Sequence, residues 1–142
     1  MIGVSVVTLA AGCVAIVAMA SAQGSERPRD TVSLIQLIAG PASFDSKRVV
    51  VTGYVMLEAQ NTAIYLHESD AVYAISRNAV WLDVPLGDES HRVQFHRRYV
   101  RVEGTFSARR RGHLDAFSGS LQDISRFDLV EPRPGPLVPA PH

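Results

Sequence analysis

His67, Glu68 and Asp70 fall within four residues in "HESD", directly after the apolar run "TAIYL". Neutral imidazole and carboxylates are donors that suit zinc or a harder cation, and a strand end can bring them together. A zinc site needs three or four converging ligands, and no second group in the chain repeats a known ligand spacing. His91 and His96 are five residues apart, so a helix would not present them on one face. Ser118 in "FSGS" lacks the strand-to-helix elbow that exposes a hydrolase nucleophile. No glycine-rich phosphate cradle occurs, and no carboxylate pair stands out for glycoside hydrolysis. The expectation is a non-enzymatic chain with no cofactor. A metal-binding or hydrolytic role for His67, Glu68 and Asp70 is the alternative.

Residues suited to binding are more plentiful. Tyr54, Tyr65 and Trp81 offer flat faces, with Arg77 and Arg101 near them in sequence. Stacking of a base on such a face contributes about 1–3 kcal/mol. The same aromatics sit among apolar neighbours, which equally suits a core. Arg109, Arg110, Arg111 and His113, in "RRRGH", form a basic cluster for an anionic surface or acidic polymer.

The address of the chain limits its partners. Of 142 residues, 14 are Lys or Arg and 14 are Asp or Glu, and none of these charges precedes residue 26. The opening apolar stretch ends in Ala20-Ser21-Ala22, the small-x-small pattern of a signal-peptidase site. Residues 1–22 are therefore read as a signal peptide and 23–30 as a linker. A retained membrane anchor through residues 1–22, or lipidation at Cys13 in "LAAGC", is the alternative. Cys13 is the only cysteine, so a processed chain has no disulfide and holds itself together by its core. The expected location is the periplasm or the outside of the cell. A neutral domain there meets little nucleic acid, so a single-strand binder is a secondary reading. An envelope component or protein is the expected partner. The end, "EPRPGPLVPAPH", has five prolines, and residues 131–142 are read as a disordered tail.

The elements that must position these side chains are mostly strands. "TVSLIQLIAGP" predicts a helix over 31–39, capped by Asp30 or Thr31 and stopped at Gly40-Pro41. "KRVVVTGYVML" alternates so that Val49, Val51, Gly53, Val55 and Leu57 share one face. Further strands are expected at 62–67, 78–84, 99–107 and 118–129. "VVVTGYV" at 49–55 returns as "VRVEGTF" at 100–106, each with a central glycine, Gly53 and Gly104. Glycine weakens a flat strand but permits the bulge or bend that closes a barrel. The two segments are therefore expected to be barrel partners bent at equivalent places.

With "SKRVVVTGYV" as a first long strand, residues 31–130 resemble the OB-fold. The resemblance implies an all-β, five-stranded Greek-key barrel with one short N-terminal helix. It implies that the first strand pairs with the second and, at the closure, with the fourth. It also implies ligand binding on the face of strands two and three. The runs "ISRNAVWLDV", "RYVRVEGTF" and "GHLDAFSGSLQDI" resemble a group of small exported bacterial proteins without an established activity. The link between strands three and four is short and broken by Pro85 and Gly87, so the helix at 31–39 is expected to plug the barrel end.

Overall fold

Alternating apolar residues in the two glycine-centred segments make them strands, and these pair with each other along eight residues. The computed structural model describes residues 29–84 and 89–135. Its elements are β1 (Asp30–Thr31), α1 (Leu34–Ala39), β2 (Arg48–Glu58), β3 (Asn61–Tyr65), α2 (Glu68–Val72), β4 (Ala79–Leu82), α3 (Glu89–Phe95), β5 (Arg98–Ser107) and β6 (Ser120–Leu129). The segments read as a signal peptide, most of the linker and the end of the tail lie outside the described residues. Among the described residues no helix is long and apolar enough to cross a membrane.

The sheet runs β1-β2-β3-β4-β6-β5, and β2 also pairs with β5, so five strands close into a ring. β2 pairs antiparallel with β3 from Tyr54 to Glu58 and with β5 from Arg48 to Val55. β4 and β6 run parallel, Trp81 opposite Ser120 and Leu82 opposite Leu121. β1 adds two residues parallel to β2. "VVVTGYV" and "VRVEGTF" are thus hydrogen-bonded neighbours, Gly53 opposite Val100 and Gly104 opposite Val49.

Both glycines answer to close approach. A Cβ on Gly53 would lie 2.5 Å from the Tyr65 carbonyl oxygen and 2.6 Å from Leu34 Cδ1. A Cβ on Gly104 would lie 2.8 Å from the Gln122 carbonyl oxygen, at the register shift between Glu103 and Thr105. Side chains there would push strand from strand, as expected where a sheet bends.

The ring interior is one apolar cluster. Val49, Val51, Val55 and Leu57 of β2 meet Ile64, Val80, Leu82, Val100, Val102, Phe106 and Leu121. Removing such buried side chains back to alanine typically costs about 2–5 kcal/mol. Leu34 and Leu37 of α1 join this cluster from one side and Phe95 of α3 joins it too. α1 starts at a capping box: Ser33 N–H donates to Gln36 Oε1 at 2.8 Å, and Gln36 N–H donates to Ser33 Oγ at 3.2 Å.

Three expectations are corrected here. The predicted single helix is one of three α-helices among the described residues. The first begins at Leu34, capped by Ser33 rather than by Asp30 or Thr31, because Asp30 and Thr31 are used in β1. The link between β4 and β5 holds α3, so α1 is not the only helix on the core: Phe95, 4 % exposed, packs into it as well.

Closure of the ring carries a charge pair. Arg48 Nε on β2 donates to Glu103 Oε1 on β5 at 2.9 Å. Arg48 Nη1 donates to the Asp123 carbonyl of β6 at 3.3 Å, and Nη2 meets Ser125 Oγ. Glu103 is 5 % exposed, and Arg29 approaches it at 3.6 Å. One guanidinium therefore ties three strands beside the bulge.

Candidate functional site

The face that the resemblance assigns to ligands is occupied by the chain itself. The outward residues of β2, β3 and β4, including Tyr54, Met56, Ala63, Tyr65 and Ala79, form a second buried cluster. Ala71 of α2 and Phe117 of the β5–β6 connection cover it. Tyr54 is 5 % and Tyr65 1 % exposed, so neither ring offers a free face. The Tyr65 hydroxyl donates to Asn61 Oδ1 at 2.6 Å, and Tyr54 packs edge-on against Tyr99 at 5.4 Å. Burial pushes the Tyr54 phenol above its ordinary value; the Glu68 carboxylate adds to this and Arg97 opposes it. Burial also raises Tyr65, against its bonds to Ser76 and Asn61.

The "HESD" residues go separate ways. His67 is exposed at the start of α2, and Glu68 accepts from the Tyr54 hydroxyl at 3.3 Å. Asp70 is buried and accepts from Asn78 Nδ2 at 3.0 Å. Among the described residues no three His, Cys, Asp or Glu side chains converge on a metal position. His96 accepts from the Leu57 N–H through Nδ1 at 3.1 Å, while His91 stacks at Phe127. Ser118 donates to the Arg77 carbonyl at 2.6 Å. Arg77 and Arg101 are exposed, and neither lines the groove described next.

The structure gathers polar residues elsewhere, at the parallel seam between β4 and β6. Trp81 and Asp83 alternate outward along β4 and its extension, and Ser120 and Gln122 do so along β6. The chain leaving β5 crosses over this seam. Asp45 Oδ1 accepts from the Ala108 N–H at 2.8 Å, Ser107 Oγ accepts from the Arg110 N–H at 3.3 Å, and the Arg111 carbonyl accepts from the Phe117 N–H at 3.1 Å. Gly112 turns at φ 67°, ψ −152° against the Trp81 ring. That backbone region is open essentially to glycine alone.

The result is a groove in two adjoining parts. One, about 420 Å³, is lined by Arg109, Arg110, Arg111, Trp81, Asp83 and Ser120 among others. The other, about 850 Å³, continues past Asp83 and Arg110 to Gln122, Arg126 and His91. Arg110 is committed within the groove: Nη1 lies 3.6 Å from Asp83 Oδ2. With the Gln122 amide turned so that its oxygen faces the guanidinium, that oxygen accepts from Arg110 Nε at 3.1 Å and Nη1 at 2.7 Å. Arg110 and Asp83 are both largely exposed, so their pairing contributes little to stability.

Ser120 is the anomaly within the groove; away from it, Asp70 Oδ2 is also buried without a partner. Ser120 is 1 % exposed, and its hydroxyl has no hydrogen-bond partner. A buried unpaired hydroxyl costs about 1–3 kcal/mol. The residues of "RRRGH" named from sequence thus reach the groove through Arg109, Arg110 and Arg111, and His113 lies to one side beside Tyr65 and Leu114. Trp81 also belongs to the groove, but Gly112 and Phe117, the latter ring 5.3 Å away, pack against it. Asp83, Ser120 and Gln122 went unread. Their only sequence signal is outward alternation in two strands, and what joins them is a parallel pairing between segments far apart in the chain.

No family model matches this chain, and neither a curated protein nor a solved structure matches it.

Proposed function

We propose that the closed ring is an OB-like Greek-key barrel, and that the protein is an exported, non-enzymatic binding module whose ligand site is the β4–β6 groove. The ligand is an envelope component, most simply a polymer. The observation that carries the reading is the groove itself. It is a polar cleft beneath an arginine-bearing loop, on a ring whose expected binding face is already filled by Tyr54, Tyr65 and Phe117. Two further observations support it. β2 pairs with both β3 and β5, the pattern that the OB resemblance implies. Residues 1–22 carry the composition of an export signal. Two side chains suited to nucleophilic or metal chemistry are spent on structural bonds, Ser118 and His96.

Trp81 is the only tryptophan, so its emission reports on the groove alone. Fractionated envelope material titrated into the purified protein should change that emission saturably and be recovered unaltered. Hydrolytic turnover that disappears on substitution of one polar residue would overturn the reading.

A further inference from the structure

We infer that the smaller part of the groove is an oxyanion site, and that the group it takes is the acid of an acidic sugar unit in a polymer. This rests on the binding-module reading above and narrows it. Three observations lead there.

The first is charge. Arg110 is satisfied by Asp83 and Gln122, whereas Arg109 and Arg111 have no side-chain partner among the described residues. Asp115 is the other carboxylate on the wall, so the pocket keeps a positive excess. Guanidinium groups of this kind recognise carboxylate or phosphate oxygens in a fixed fork. The second is Ser120. Its buried hydroxyl lines the same pocket without a partner, and an oxyanion oxygen would supply an acceptor for it. The third is the state of Trp81. Gly112 and Phe117 pack against the indole, which removes the open ring face that a nucleobase would stack on. A volume of about 420 Å³ exceeds what a free small anion fills and accommodates a sugar-sized unit.

Arg110 has a different part. Held between Asp83 and Gln122, it fixes the loop over the seam and so sets where Arg109 and Arg111 point. It is a positioning residue.

The test uses Trp81 emission of the full-length protein against three probes: a short oligogalacturonate, its fully methyl-esterified form, and inorganic phosphate. The acid should give a saturable change, with affinity at least tenfold above that of the ester or phosphate. Ser120→Ala should melt no lower than the wild type without ligand and bind the acid about tenfold more weakly. Arg109→Gln combined with Arg111→Gln should abolish the change while leaving the fold intact by circular dichroism. Equal affinity for acid and ester overturns the inference, as does a Ser120→Ala protein that binds like the wild type. Phosphate bound as tightly as the oligomer overturns the sugar assignment. If none of the three probes binds while an envelope fraction still shifts Trp81, the inference falls and the binding-module reading stands. If nothing shifts it, both fall.

Discussion

Gly112 lies so close to Trp81 that a Cβ on it would come within 2.5 Å of the indole Cγ and Cδ2. The contact explains how an exposed arginine loop is held in one place over the β4–β6 seam. Its backbone, at φ 67° and ψ −152°, adds a second reason for glycine. Gly112→Ala should cost about 2–4 kcal/mol, from backbone strain together with overpacking against the ring. Urea unfolding measures the loss, and Trp81 emission of the folded variant should shift. An unchanged midpoint would mean that the loop does not depend on this contact.

The two glycines of the closed ring should differ. Gly53 is hemmed in by the Tyr65 carbonyl at 2.5 Å, Leu34 Cδ1 at 2.6 Å and Ile64 Cγ1 at 2.8 Å. Gly104 meets the Gln122 carbonyl at 2.8 Å and Ile124 Cγ1 at 3.2 Å, beside a bulge that can absorb some displacement. Gly53→Ala should cost about 3 kcal/mol and Gly104→Ala about 1–2 kcal/mol, following the usual cost of overpacking. Valine at either position should prevent folding. Thermal melts of the two alanine variants check the order, and tolerance of valine at both would sink the closed ring.

How much of this was legible beforehand depends on whether the signal was local. The strands are local: "VVVTGYV" and "VRVEGTF" announce themselves by alternation, and their pairing follows from matched glycines. β1 is not, because Asp30 and Thr31 have no strand pattern and are placed by lying parallel on Val49 and Val50. α3 was legible only as one of two readings, since the nearly all-polar "SHRVQFHRR" suits a short helix or an irregular crossover; one residue, Phe95, carries the burial that decides for the helix. The site was half legible. "RRRGH" is a visible charge cluster, whereas Ser120 and Asp83 become neighbours of it only through the parallel β4–β6 register. Tyr54 and Tyr65 misled in a simple way: an aromatic on a strand suits a ligand or a second core equally well, and here α2 and Phe117 decide for the core.

The Arg48–Glu103 pair should show unequal dependence on its partners. Glu103 is buried and keeps Arg29 only at 3.6 Å, from an exposed side chain. Arg48→Met therefore strands a buried carboxylate, and its expected cost is about 3 kcal/mol, at the lower end for a broken buried pair. Arg29→Met should cost less than about 0.5 kcal/mol, as exposed pairs do. Denaturant midpoints separate the two, and equal losses would mean that Arg48 does not hold the closure.

Alkaline pH should weaken the fold through the covered face. Tyr54 and Tyr65 have phenols raised above their ordinary value, chiefly by burial. A raised acid favours its neutral form in the folded state, so its contribution is complete below the unfolded phenol value of about 10 and is lost as pH rises through the folded values. Stability should be flat in these groups through neutral pH and decline above about pH 10. Tyrosinate absorbance near 295 nm, followed alongside circular dichroism, should show two phenols titrating only as the fold is lost. Tyr65→Phe should soften the decline. Early ionisation of all four tyrosines in the folded protein would contradict the second cluster.

The most direct measurement of the account compares two pairs of arginines by calorimetric titration with one acidic polysaccharide. Arg109→Ala with Arg111→Ala alters the groove, and Arg77→Ala with Arg101→Ala removes the same charge from outside it. The account predicts that the first variant loses at least tenfold in affinity and the second less than threefold. Loss confined to the Arg77 and Arg101 variant would contradict it and return the ligand to the strand face.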